Sequence, residues 1–234
     1  VHCPVPTKKN SSKGVRFRIG MHGVKREVDA DKVEAKRRED AVKIVAFQNA
    51  LRAAEESRVA LSAQQGAEEA TRVLQCSETV LGMNPGHYTM WNARKEALLV
   101  LGVLQRLEDE LRLTVKCLQL NPKAYCVWEH RRWCVQLSYQ SDPGLTAKET
   151  TLCEKFHSYD SRNFHCWNYR RWLLNLNDGA DEKTKAEADQ AYTLKKIHED
   201  FSNYSAWQAR SVAFGGDFIA EFDLIFNAVY TNPA

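Results

Sequence analysis

Apolar and polar positions in this chain recur with helical spacing of three and four residues, and no alternating run of useful strand length occurs. The clearest pattern is an eleven-residue phrase: Asn or Asp, three variable residues, an aromatic, two residues, Trp, two residues, Arg. Its four copies are Asn84–Tyr88–Trp91–Arg94, Asn121–Tyr125–Trp128–Arg131, Asp160–Phe164–Trp167–Arg170 and Asp200–Tyr204–Trp207–Arg210, with Trp-to-Trp steps of 37, 39 and 40 residues. A repeat at that period predicts a modular array. Within each copy the aromatic, Trp and Arg fall four, seven and ten residues after the Asx. That spacing predicts a single helical face, wide and aromatic, covered by a neighbour. Asn84-Pro85 and Asn121-Pro122 are expected to place a capping acceptor at the N-cap and Pro at the first helical position. Asp160 and Asp200 would cap without Pro, their carboxylates suiting the positive end of the helix dipole.

The segments between copies supply the covering helices. Leu104–Leu120 carries Leu107, Leu111, Val115 and Leu118 on one stripe, and Phe218–Tyr230 carries Phe222, Ile225, Phe226 and Val229. Thr146-Ala147-Lys148-Glu149 matches a capping box at the head of a helix running to about His157. Lys183–His198, after the turn Asn177-Asp178-Gly179, is a fourth such segment. The repeat unit is therefore a helical hairpin, and stacked hairpins make an all-α solenoid.

Residues 1–26 read as a basic, flexible extension and 27–234 as the helical-repeat domain, with loops at Ser141–Leu145 and Asn177–Glu182. A long charged helix is expected over Ala30–Ser62, with Val33, Ile44, Phe47, Leu51 and Ala54 as its sparse apolar side. Gln64-Gln65-Gly66 ends it, and Ala67–Leu81 leads the first hairpin. Gly215-Gly216-Asp217 turns the chain into its last helix. Asn232-Pro233-Ala234 opens a fifth copy, so the array is expected to continue beyond the sequence given, and Val1 is not expected to be a translation start.

Charge changes the picture of partners. Of the net +3, +7 lies in residues 1–26 (Lys8, Lys9, Lys13, Arg16, Arg18, Lys25, Arg26, no acid), leaving −4 for residues 27–234. A mildly acidic body argues against nucleic-acid binding, which calls for a basic stripe. No stretch approaches the roughly 18 apolar residues of a membrane span. Seven Cys, an odd number without a CxxC pair, suit unpaired, mostly buried thiols in a reducing, cytoplasmic setting. Cys126 and Cys166 read as core atoms beside the repeat Trp.

The sequence carries no HExxH, GxSxG, P-loop or GxGxxG, and its His residues lack metal-ligand spacing, so no metal site is expected. Trp91, Trp128, Trp167 and Trp207, with their aromatics, read as core; His130 and His165 read as packed or hydrogen-bonded core residues. Arg94, Arg131, Arg170 and Arg210 read as ties between repeats, stacking on rings or bonding carbonyls. The second cations Arg132 and Arg171 are left to face a partner or solvent. Lys123 differs by position: it follows Asn121-Pro122 in what is expected to be the first turn of a Trp helix, adding an ammonium to N–H groups that already favour anions.

The phrases Asn121-Pro122-Lys123-Ala124-Tyr125-Cys126-Val127-Trp128-Glu129-His130-Arg131, Asn163-Phe164-His165-Cys166-Trp167-Asn168-Tyr169-Arg170-Arg171 and Phe201-Ser202-Asn203-Tyr204-Ser205-Ala206-Trp207 resemble the repeats of protein prenyltransferase α subunits. Their wording is nearest the Rab geranylgeranyltransferase (type II) branch. Met21-His22-Gly23 and the charged helix after it resemble the start of such a subunit. The resemblance implies a right-handed crescent of hairpins wrapped around a β subunit that holds zinc and most of the lipid pocket. It implies inactivity without that β subunit, geranylgeranyl diphosphate as donor, and as acceptor the C-terminal Cys of a Rab GTPase presented by an escort protein. It carries catalytic roles to Lys123 and Tyr125 through the Pro-Lys-x-Tyr turn. The family often has Tyr near the diphosphate in the next repeat. Here that position is Phe164, with His165 beside it as a weaker candidate.

Two other readings stand beside it. One is the shared α subunit of farnesyltransferase and type I geranylgeranyltransferase, acting on CaaX proteins. The other is a non-catalytic scaffold of tetratricopeptide type, whose period of about 34 does not fit steps of 37–40.

Overall fold

The computed structural model describes residues 18–21, 24–27, 29–64, 66–142, 144–176, 181–213 and 218–231. The chain divides into two compact units, residues 1–50 and 51–234.

The first unit holds a two-stranded antiparallel sheet, β1 (Arg18–Met21) and β2 (Val24–Glu27), with Arg18 opposite Glu27 and Met21 opposite Val24. Except for Glu27, these strands lie in the segment 1–26 read as a flexible extension. Four residues each is too short for their alternation to register as a pattern. Residues 1–17, including Cys3, lie outside the described residues. Helix α1 (Ala30–Gln64) begins in this unit, where Arg38–Glu34 and Lys43–Glu39 pair one turn apart and Val42, Ile44 and Val45 stay exposed.

In the second unit the last turns of α1 bury Ala54, Ser57 and Leu61. Leu61 joins Ala70, Val73, Ala93 and Ala97 in one cluster. Helices then alternate: α2 (Ala67–Met83), α3 (Tyr88–Leu101), α4 (Val103–Leu120), α5 (Tyr125–Ser138), α6 (Leu145–Tyr159), α7 (Phe164–Leu176), α8 (Glu182–Glu199), α9 (Tyr204–Val212) and α10 (Phe218–Thr231). They pair as hairpins α2/α3, α4/α5, α6/α7 and α8/α9, and the Trp helices α3, α5, α7 and α9 pack in succession. The fold is an all-α array of helical hairpins. Gly102, at φ 86, joins α3 to α4 without a loop, a conformation that costs other residues a Cβ clash.

The Asx residues do not cap the Trp helices. Asn84, Asn121, Asp160 and Asp200 end the preceding helices, each N–H bonding back four residues. Each then closes a four-residue turn: the backbone N–H of His87, Ala124, Asn163 and Asn203 donates to its carbonyl at 3.0–3.1 Å. Each Asx side chain also accepts the N–H two residues on, from Gly86, Lys123, Arg162 and Ser202. Pro85 and Pro122 thus sit at the second position of a turn, where their fixed φ is equally suitable. The Trp helices start at the aromatic itself. Asn163 and Asn203 take over the capping, accepting from His165 and Cys166 and from Ser205 and Ala206.

That shift explains a second correction. Tyr88, Tyr125, Phe164 and Tyr204 are 62%, 60%, 66% and 66% exposed, at the opening residue of each Trp helix and not on its packed face. The Trp residues are packed as expected: Trp91, Trp128 and Trp167 are buried and Trp207 half-buried. Each indole N–H donates at 2.9 Å to the carbonyl six residues earlier, from Pro85, Pro122, Ser161 and Phe201 respectively. One side chain therefore fills the core and locks the turn before it.

The buried stripes of α4 and α10 are shifted from the ones expected, although Leu118 is buried as expected. In α4 the buried residues are Glu110, Leu113, Thr114, Cys117 and Leu118; Leu107, Leu111 and Val115 flank them half-buried. In α10 Leu224 is buried while Phe222, Ile225, Phe226 and Val229 are exposed. The capping box is also not formed. Thr146 lies inside α6, whose N-cap is Gly144, and Glu149 points into the core.

Candidate functional site at the turn edge

The repeat Arg residues come first, because they account for most of the buried charge. Arg94 bonds Glu110 through Nε and a terminal nitrogen, and also the Leu74 carbonyl and Ser77. Arg131 repeats this with Glu149, the Leu111 carbonyl and Thr114. Arg210 does so with Glu221 and the Gln190 carbonyl. Arg170 pairs with Asp189 and lies over the Tyr192 ring, 3.8 Å from its centroid. Arg94, Arg131 and Arg210 thus clasp the leading helices on either side of them, as ties between repeats should, while both contacts of Arg170 are with α8. The sequence reading missed the carboxylates. Their signal was present in α4 and α6: a single acid, Glu110 or Glu149, on an inner stripe otherwise without Asp, Glu, Lys or Arg. Arg132 is exposed, as expected, and also lies over the Trp172 ring, 5.0 Å from its centroid.

Two buried imidazoles complete this core. His130 Nε2 lies 3.0 Å from Glu110 Oε2. Burial holds the imidazole below its usual range against the opposing pull of Glu110, so the contact is a hydrogen bond from neutral His. Burial pushes the Glu110 carboxyl up, but the bonds from His130 and Arg94 outweigh it and hold the group ionised. His157 Nδ1 meets the Tyr192 hydroxyl at 2.7 Å, and burial with Lys196 and Arg170 nearby drops its pKa to about 3. These groups are sealed structural parts. The six described Cys are unpaired, five of them buried, with burial raising Cys117 to about 11 and Cys134 to about 12. Among the described residues no three His, Cys, Asp or Glu converge as metal ligands.

The outward-facing chemistry lies along the turns. Lys123 is not in a helical turn; it precedes α5 by two residues, in the Asn121–Ala124 turn. Its backbone N–H is taken by Asn121, while its side chain is 74% exposed and its Nζ is 3.9 Å from Asp160 Oδ2 in the next turn. Tyr125 opens α5 immediately after it. The neighbouring turn docks against this one: Asn163 Nδ2 donates to the Pro122 carbonyl at 3.0 Å. It brings with it Arg162, Phe164 and His165. The Phe164 and His165 rings meet edge-on, 5.7 Å apart. Partial burial lowers the His165 pKa, with Glu129 of α5 pulling the other way. Arg162 occupies the position of Lys123 one repeat on and was not singled out from the sequence. It donates to the Ser202 carbonyl and hydroxyl and lies 5.6 Å from the Tyr204 ring centroid. The Lys123, Tyr125, Phe164 and His165 positions therefore occupy two adjacent turns of one edge.

Comparison with known proteins agrees with this architecture. The protein prenyltransferase alpha subunit repeat matches residues 107–138 and 147–177, which are the α4/α5 and α6/α7 hairpins. Geranylgeranyl transferase type-2 subunit alpha from human is 34% identical over 91% of this chain. The chain spans 39% of the length of that relative. The Dictyostelium discoideum subunit of the same name is 33% identical, over 91% of this chain and 70% of its own. A solved Candida albicans protein geranylgeranyltransferase-I complexed with GGPP superposes with a TM-score of 0.56 at 25% identity, covering 75% of this chain and 59% of that one. No described helix is long and apolar enough to cross a membrane. Sequence identity, repeat match and hairpin architecture together show that the chain belongs to the protein prenyltransferase α-subunit family.

Proposed function

We propose that the chain serves in a heterodimeric protein geranylgeranyltransferase of type 2, moving a geranylgeranyl group from its diphosphate to C-terminal Cys residues of Rab GTPases presented by an escort protein. The observation that carries this reading is Lys123: an exposed ammonium on the turn edge, followed by an exposed Tyr and beside the turn bearing Phe164 and His165. The relatives named above support the type-2 assignment. Carbon–oxygen cleavage builds negative charge on the departing diphosphate. A preplaced ammonium stabilises that charge more in the transition state than in the ground state. Tyr125 would donate its hydroxyl to the same group. The β subunit would supply zinc to ionise the acceptor thiol, and the lipid pocket. The row of exposed aromatics gives that subunit an apolar edge to cover, and the working complex would be cytoplasmic.

The test is reconstitution of the native-length chain with a type-2 β subunit, Rab and escort protein. Lys123→Ala should lower turnover by roughly 100-fold while the heterodimer still assembles. Unchanged turnover would remove Lys123 from the mechanism. A second reading draws on the Candida structure: service in a CaaX-protein prenyltransferase. Transfer with a CaaX-type β subunit, without escort protein, would favour it.

A further inference from the structure

Successive turns sit in a fixed register, and that register has a charge rule. Asn163 reaches back to the Pro122 carbonyl at 3.0 Å and Asn203 to the Ser161 carbonyl at 3.2 Å. In this arrangement the residue two places after the Asx of one turn faces the Asx of the next. Lys123 faces Asp160 at 3.9 Å, and Arg162 faces Asp200 at 3.6 Å. In the first turn the corresponding residue is the uncharged Gly86, and the Asx after it, Asn121, is neutral. All four Asx side chains make the same bond to the N–H two residues on. Asn makes that bond as well as Asp, so turn formation does not account for the carboxylates at 160 and 200. Asp160 has Oδ1 on the Arg162 N–H and Oδ2 toward Lys123.

We propose that Asp160 is the resident counter-ion of Lys123, a positioning residue that holds the ammonium at the turn edge and gives it up as the anionic prenyl diphosphate arrives. The inference rests on the proposed role of Lys123. It also explains why Lys123, and not Arg162, is the releasable cation. Arg162 is tied to Ser202 by two hydrogen bonds and to Asp200. The Lys123 contact is too long for a hydrogen bond and lies in solvent, where an ion pair is weak and easily exchanged. Once a diphosphate occupies the ammonium, the Asp160 carboxylate stays fixed by its turn and repels it.

Asp160→Asn keeps the turn bond and deletes the charge. In the assembled enzyme it should lower the KM for geranylgeranyl diphosphate about 3-fold, the size of an exposed pair, and leave kcat unchanged. In a Lys123→Ala background the same substitution should leave KM where it was. A KM that is unchanged or raised in Asp160→Asn, while Lys123→Ala is impaired, overturns this inference and spares the functional reading. An equal fall in KM with and without Lys123 also overturns it, because Asp160 would then act by another route. Lys123→Ala kinetics equal to the parent would instead bring down the functional reading itself.

Discussion

Arg131 and Glu149, on helices of consecutive hairpins, hold each other by two hydrogen bonds of 2.6 Å in a site that neither shares with solvent. Tyr169 of the next Trp helix donates to the same carboxylate at 2.8 Å. One acid thus binds three helices, and its removal leaves a buried guanidinium without its partner. Glu149→Gln should destabilise the chain by about 3–5 kcal/mol, read as a shift in the denaturant midpoint. A loss below about 1 kcal/mol would mean that the pair is not the joint described.

Trp128 spans core and turn, with its indole N–H on the Pro122 carbonyl. Trp128→Phe keeps an aromatic but deletes that bond and part of the volume, and should cost about 2–3 kcal/mol. Hydrogen exchange should then quicken first in the Asn121–Ala124 turn. Uniform quickening across α5 would show that the indole merely fills space.

Tyr125 should behave in the opposite way. With its ring mostly in solvent, Tyr125→Ala should change chain stability by no more than about 0.5 kcal/mol. It should nevertheless weaken association with the β subunit of the proposed heterodimer by about 10-fold, as truncation of an aromatic anchor does. Titration calorimetry with the purified β subunit measures both the affinity and the enthalpy lost.

His157 makes stability depend on pH. Its folded pKa of about 3 lies below the ordinary 6.5, so between those values the unfolded chain binds the extra proton. The contribution is whole above pH 6.5 and shrinks as pH falls toward 3. At pH 4.5 the loss should reach about 2–3 kcal/mol, and His157→Gln should flatten that part of the profile. An acid slope identical in the variant would assign the effect elsewhere. Buried His130 titrates in the same direction.

Much of the fold was legible because the repeat phrase is local. Hairpin count and the Trp positions follow from spacing within about a dozen residues. The errors came where two local mechanisms share one signature. Asn-Pro begins a helix or a turn equally well, and only the backbone path through His87 and Ala124 shows that the turn prevailed. Shifting the helix start to Tyr88 and Tyr125 moved those rings off the packed face. Thr146 to Glu149 looked like a capping box, but Arg131 makes Glu149 more valuable inside. That competitor lies 18 residues away and belongs to a different helix.

By itself, then, the sequence determined the repeat period, the helical hairpin and the family, since these rest on short-range periodicity and on side chains whose chemistry admits few uses. Tertiary structure decided which carboxylate answers each buried Arg, which aromatics face outward, and which cation the next turn leaves releasable. Those outcomes depend on the register between hairpins. That register is set where one turn's carbonyl meets a side chain of the next repeat, as Pro122 meets Asn163 and Pro85 meets Cys126.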